Sequence, residues 1–159
     1  MKKLIVLFTI ITSIGLYSQA QVNPHAIGLR LGGGDALVGG EVSYQHGMGD
    51  ANRLELDLGW SGNDHHNRMY ITGIYHWDWN LTGGLNWYVG PGAGIGLYQY
   101  DNDDDYVNIA VGGQLGLEYD FNKNGAPILL SIDIRPMWDF LGDYAGFGWG
   151  TALRIRYTF

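Results

Sequence analysis

A chain of 159 residues with 26 Gly, no Cys and 14% aromatics has the length of one domain and excludes disulfide scaffolds, thiolate metal sites and cysteine nucleophiles. Its 16 acidic residues against 9 basic ones, a net charge of −7, leave no cluster of Lys and Arg to neutralise phosphates, which excludes nucleic acid as a partner. No apolar run reaches the ~18 residues of a membrane-crossing helix, while the glycine excess and 46% hydrophobic content point to an all-β chain with many turns.

In chain order, Lys2 and Lys3 precede the apolar run Leu4 to Leu16, and small residues follow at Ser18 and Ala20. This is the order of a secretory signal peptide, so residues 1–20 are expected to be cleaved and 21–159 to form the exported, folded body. From His25 onward, apolar residues alternate with others at the period of two that belongs to strands. The alternation predicts strands at roughly 25–33, 38–46, 53–61, 69–79, 85–100, 106–121, 128–140 and 147–159. Between them lie Gly34-Asp35, Gly47 to Asp50, Gly62 to Asp64, Asn80 to Gly84, Asp101 to Asp103, Asn122 to Gly125 and Gly142-Asp143, all with turn chemistry. Pro91 and Pro136 fall inside predicted strands, where each removes a ladder donor, so a bulge or bend is expected near them.

Residues two apart in a strand share a face. One face is apolar throughout, for example Ile27, Leu29 and Leu31, then Leu54, Leu56, Leu58 and Trp60, then Leu153, Ile155, Tyr157 and Phe159. The other carries Arg30, Glu41, Arg53, Glu55, Asp57, Asp78, Glu118, Asp120, Asp133, Arg135, Arg154 and Arg156 among Gly, Asn, Gln, Ser and Tyr. A soluble barrel would turn the apolar face inward, but a lumen of eight strands is just wide enough to be filled by side chains, and this many large apolar residues would overfill it. The apolar face must therefore point outward. The chain is expected to be an all-β, eight-stranded, antiparallel up-and-down transmembrane barrel, its lumen closed by an ion-pair network of Arg30, Glu41, Arg53, Glu55, Asp57, Glu118, Asp120, Asp133, Arg135, Arg154 and Arg156. The tryptophans give an independent indication, since membrane barrels carry aromatic girdles at both interfaces. With both termini on the periplasmic side, Trp77, Trp79 and Trp87 fall at the periplasmic rim and Trp60, Trp138 and Trp149 at the outer rim.

This architecture, with the closing strand Thr151-Ala152-Leu153-Arg154-Ile155-Arg156-Tyr157-Thr158-Phe159, resembles the small outer-membrane barrels of the OmpA transmembrane-domain and OmpX type, in the form common in Bacteroidota. The resemblance spans residues 21–159; the short outer loops depart from the OmpX pattern. It implies that Tyr157 and Phe159 belong to a signal read by the barrel-assembly machinery, that the partners are outer-membrane lipid and lipopolysaccharide, and that the barrel is a monomer.

Other constellations carry less. Asp101, Asp103 and Asp105 space oxygen ligands as a calcium loop does, but Tyr106 stands where an EF-hand needs Gly and Gly112 where it needs Glu; a solvated acidic loop is the expectation. Asp64-His65-His66 offers adjacent imidazoles without an evident third ligand. His76 and Asp78 share the polar face and form a possible acid/base pair. Ser43, Ser61 and Ser131 share no strand face with a nearby His, so no nucleophilic arrangement is visible. The expected function is a non-enzymatic envelope or surface-interaction role without a cofactor. The alternative is a narrow porin-like channel, and a lipid A-modifying enzyme stands third.

Overall fold

The computed structural model describes residues 22–34, 39–63, 66–100, 103–141 and 145–159; the expected signal segment lies outside them. The strands are β1 (His25–Gly34), β2 (Gly39–Gly47), β3 (Asn52–Asn63), β4 (His66–Thr82), β5 (Leu85–Tyr100), β6 (Asp103–Asp120), β7 (Ile128–Asp139) and β8 (Gly146–Thr158). Each pairs antiparallel with the next, and β8 pairs back with β1 from Ala26↔Thr158 to Gly34↔Gly150, which closes the barrel. Closure leaves no unpaired strand edge, the condition for a sheet to stand in hydrocarbon.

The two faces separate as the alternation requires. Leu153 (66% exposed), Ile132 (53%) and Ile71 (54%) point outward, whereas Arg30, Glu55 and Arg135 on the inward parity are at most 1% exposed. Among the residues whose side-chain burial is described, the exposed charged ones are Asp50 and Lys123, both in connections. An uncharged apolar surface that runs round a whole barrel far exceeds the patches soluble monomers tolerate; it is the surface of a protein dissolved in lipid. Apolar side chains inside are few, chiefly Ile74, Leu129 and Met137 with the rings of Tyr70 and Tyr88.

The aromatic girdles follow from register. At the end where β1 begins and β8 finishes, Trp79 stacks on Trp87 with ring centroids 4.5 Å apart, Trp77 meets Tyr75 edge-on at 5.3 Å, and Tyr119 meets Phe121 at 4.6 Å. At the far end, Trp138 lies against Phe147, and Trp60 and Trp149 are exposed. Beyond the level set by Trp60↔Met69, Met69↔Leu97 and Leu97↔Val107, the β5–β6 ladder continues to Tyr100↔Asp103.

Three details depart from the sequence-based expectation. First, β4 is longer than 69–79. Its ladder with β5 shifts register between Asn80 and Thr82, and the chain turns in two residues, with Gly83 in the left-handed region at φ 52°, a conformation glycine adopts without steric cost. Second, β6 begins at Asp103 rather than Tyr106, and Phe121 is not in it but opens a short 3-10 helix (Phe121–Asn124) that Asp120 caps and Gly125, at φ 85°, terminates. Third, neither proline produces a bulge. On either side of Pro91 the register runs from Ile74↔Gly92 to Trp77↔Val89 without a shift, and across Pro136 from Gly112↔Met137 to Leu115↔Ile134. Each ladder is simply interrupted where a donor is missing, while the neighbouring ladder holds, through Pro91↔Gly113 and Pro136↔Trp149.

Candidate functional site

The barrel interior is the site where polar chemistry concentrates, and register explains how it is assembled. Arg30 lies directly opposite Glu41 on β2 but also opposite Arg154 on β8, a like-charge juxtaposition that is unfavourable unless carboxylates intervene. Asp133 from β7 does so. It accepts hydrogen bonds from Arg30 Nη2 at 2.6 Å and Nε at 3.2 Å, and lies 3.3 Å from Arg154 Nη2.

From there the network runs the length of the lumen. Glu41 accepts from Arg30 Nη1 at 2.5 Å, from Arg135 Nη1 at 2.9 Å and from the Tyr70 hydroxyl at 3.0 Å. Arg135 also donates to Asp57 and, at 3.3 Å, to Gln114. Glu55 receives both Arg154 and Arg156, the latter at 2.7 Å. Arg156 reaches on to Glu118, which Arg53 also contacts at 2.8 Å. Asp78 ends the chain 3.4 Å from Arg53. All these ionic side chains are buried. A guanidinium offers five donors in a planar fork and keeps its charge throughout the accessible pH range, so each Arg bridges carboxylates on different strands. The result is a cross-braced set of buried ion pairs.

Asp120 differs from the other expected members. It is buried but accepts from Asn122 N at 2.8 Å, Asn122 Nδ2 at 2.7 Å and Asn23 Nδ2 at 3.3 Å; as the last residue of β6 it caps the 3-10 helix that follows instead of joining the arginines. The possible acid/base pair is also resolved differently, because both members turn to Arg53. Its Nε donates to His76 Nδ1 at 3.4 Å and its Nη1 faces Asp78. A shared cation between them makes them parts of the brace.

Sequence reasoning missed the aromatic members. The Tyr70 ring occupies the space over Gly59, where an added Cβ would sit 2.1 Å from it, and the Tyr88 ring does the same over Gly116 at 2.3 Å. Arg53 stacks on the Tyr88 ring, 4.5 Å from its centroid, a cation–π contact strengthened by desolvation. The signal is visible only in two dimensions: Gly59 pairs with Tyr70 and Gly116 with Tyr88, so a lumen tyrosine faces a lumen glycine across the ladder.

The remaining candidates are placed as follows. Asp64, His65 and Asp101 lie outside the described residues, and His66 opens β4; Asp103 and Asp105, expected in an acidic loop, instead belong to β6, because the β5–β6 ladder runs on to Tyr100↔Asp103. Among the described residues, no group of three or more His, Asp or Glu side chains gathers as a metal site. Tyr157 and Phe159 are outward and exposed; Phe159 N donates to His25 O at 3.1 Å, and its ring stacks on the His25 imidazole at 5.6 Å.

No family profile and no curated protein matches this sequence. Solved structures do match its fold. It is similar to Neisserial surface protein A (NspA), with 12% identity, a TM-score of 0.65 and coverage of 85% of this chain and 96% of that one. It is similar to the N-terminal β-barrel domain of Pseudomonas aeruginosa OprF, with 17% identity, a TM-score of 0.63 and coverage of 87% and 100%. Ail, the attachment invasion locus protein of Yersinia pestis, aligns at 10% identity with a TM-score of 0.53 over 85% and 96%. These are small eight-stranded outer-membrane barrels, and what this chain shares with them is the closed, all-antiparallel eight-stranded fold.

Proposed function

We propose that this protein is an integral barrel of the bacterial outer membrane with a non-enzymatic structural or surface-interaction role, its lumen sealed by side chains. The observation that carries the reading is the inversion of ordinary polarity: an uncharged apolar exterior around a buried network from Asp78 to Tyr70. Such a network is a poor catalyst and a good brace, because its cations are guanidinium groups with permanently held protons and its carboxylates are engaged by them. The N-terminal segment with signal-peptide order supports export. The alternating, aromatic-ended β8 supports recognition by the barrel-assembly machinery through Tyr157 and Phe159, and kinship with the OmpA and OmpX type of Bacteroidota. Lipid and lipopolysaccharide then surround a monomer.

Planar-bilayer recording tests the seal. Wild-type protein is expected to give no steady unitary current; steady currents altered by Glu118→Ala would replace the plug with a narrow channel. Incubation with lipopolysaccharide followed by mass analysis of lipid A tests the absence of enzymatic function, with an unchanged mass expected.

A further inference from the structure

At the end where β1 begins, outside the lumen, His25 Nδ1 gathers two further polar atoms that the ion-pair network does not use. His25 and His46 are directly opposite in the β1–β2 ladder. Their Nδ1 atoms lie 3.4 Å apart, and the Tyr44 hydroxyl is 3.1 Å from the same His25 Nδ1. The two imidazole centroids are 5.1 Å apart with a 36° interplanar angle. His46 is exposed and His25 and Tyr44 half-buried, and His25↔His46 is the terminal pair of the β1–β2 ladder at the end where β1 begins, so the cluster stands at the rim of the barrel.

Within the cluster, His25 Nδ1 is contested. His25 Nδ1 presents either one proton or one lone pair, yet it has two polar neighbours at bonding distance, and the His46 nitrogen competes with the Tyr44 hydroxyl for it. A metal ion would take the Nδ1 lone pairs of both imidazoles at once, and the Tyr44 oxygen as its phenol proton passes to solvent. The spacing is also the right one: two nitrogens each bound at ~2.0–2.1 Å to a tetrahedral zinc stand about 3.3–3.4 Å apart. Imidazole suits zinc and its first-row neighbours, whereas hard cations prefer sets of oxygens. The pair is held in place on one side by Phe159, whose ring stacks on His25, and by the ladder that fixes the two backbones.

We propose that His25, His46 and Tyr44 form a binding site for a divalent transition-metal ion of the zinc type, with the fourth position left to solvent. The ion would tie β1 to β2 beside the barrel seam, where β1 meets β8.

The test is titration of zinc chloride into untagged protein folded in detergent, followed by calorimetry and by the imidazole NMR signals. One ion per barrel is expected, with the His25 and His46 signals shifted. His25→Gln and His46→Gln are each expected to weaken binding at least tenfold, and Tyr44→Phe severalfold, with folding of every variant verified by heat-dependent gel mobility. His46 is exposed, so its variant keeps the test decisive should His25→Gln fail to fold. The His65→Gln, His66→Gln double variant is expected to bind as wild type. Absence of saturable binding in wild type, undiminished binding in His46→Gln, or loss confined to the His65, His66 variant would each overturn the proposal.

Discussion

Glu55 is the point at which the lumen network is most concentrated, since Arg154 and Arg156 both donate to it and Arg135 stands 3.7 Å away. Removing its charge leaves guanidinium groups buried with too few counter-charges, and breaking a buried pair on one side costs about 3–5 kcal/mol. Glu55→Gln is therefore expected to lower the unfolding free energy in detergent or lipid by about 3–5 kcal/mol, read from urea titrations. Asp120→Ala removes a cap on a four-residue helix and should cost only about 1 kcal/mol. A comparable loss in the two variants would show that the network is no more than a set of independent contacts. At Gly116 the issue is volume: a Cβ would meet the Tyr88 ring that carries Arg53, so Gly116→Val should cost about 1–3 kcal/mol by overpacking and displace Arg53 from the ring.

At the scale of the strand, the face a residue occupies decides its tolerance to charge. Ile132 is outward on β7 between Leu117 on β6 and Leu153 on β8, so Ile132→Arg places a guanidinium among acyl chains and is expected to cost about 2–4 kcal/mol near mid-membrane. Equal bilayer folding of wild type and variant would reverse the assignment of faces. Much of this level was legible in the sequence because a strand's period is two, and a parity count sorts Leu54, Leu56 and Leu58 from Arg53, Glu55 and Asp57 without any knowledge of neighbours. What parity does not contain is height. Asp120 has the lumen parity of Glu118, yet as the last residue of β6 it turns to the 3-10 helix and caps it; His76 and Asp78 share a face, yet both are claimed by Arg53 from the preceding strand. Partner choice across the lumen depends on register and on reach through the barrel, which a linear pattern does not encode. The prolines mark the same boundary. A missing donor is certain from the sequence, but whether the strand bulges or merely skips a bond depends on how firmly its other neighbour holds it, here through Gly113 for Pro91 and Trp149 for Pro136.

For the molecule as a whole, stability must come from a source other than an oily core, because the interior is ionic and the oily surface is outside. In the proposed membrane setting lipid covers the belt of Leu, Ile, Val and Trp, the closed ladder satisfies the backbone, and the network replaces the hydration its charges give up. In plain buffer the first of these is absent, so residues 21–159 are expected to remain unfolded or aggregated until detergent or lipid is added, as followed by circular dichroism and gel mobility. A sealed lumen also has a distinct response to salt. Exposed charges are screened over a Debye length of about 8 Å at physiological ionic strength, while buried pairs are screened far less. If water and ions filled the lumen, raising salt would weaken the attraction between Arg30 and Asp133 or Arg156 and Glu55, and the unfolding midpoint would fall. With these side chains buried as they are, the midpoint in neutral-lipid vesicles is expected to stay nearly constant from low to high sodium chloride, and the difference between wild type and Glu55→Gln to stay constant with it. A difference that shrinks steadily as salt rises would mean that the ion pairs face an electrolyte and that the barrel is open along its axis.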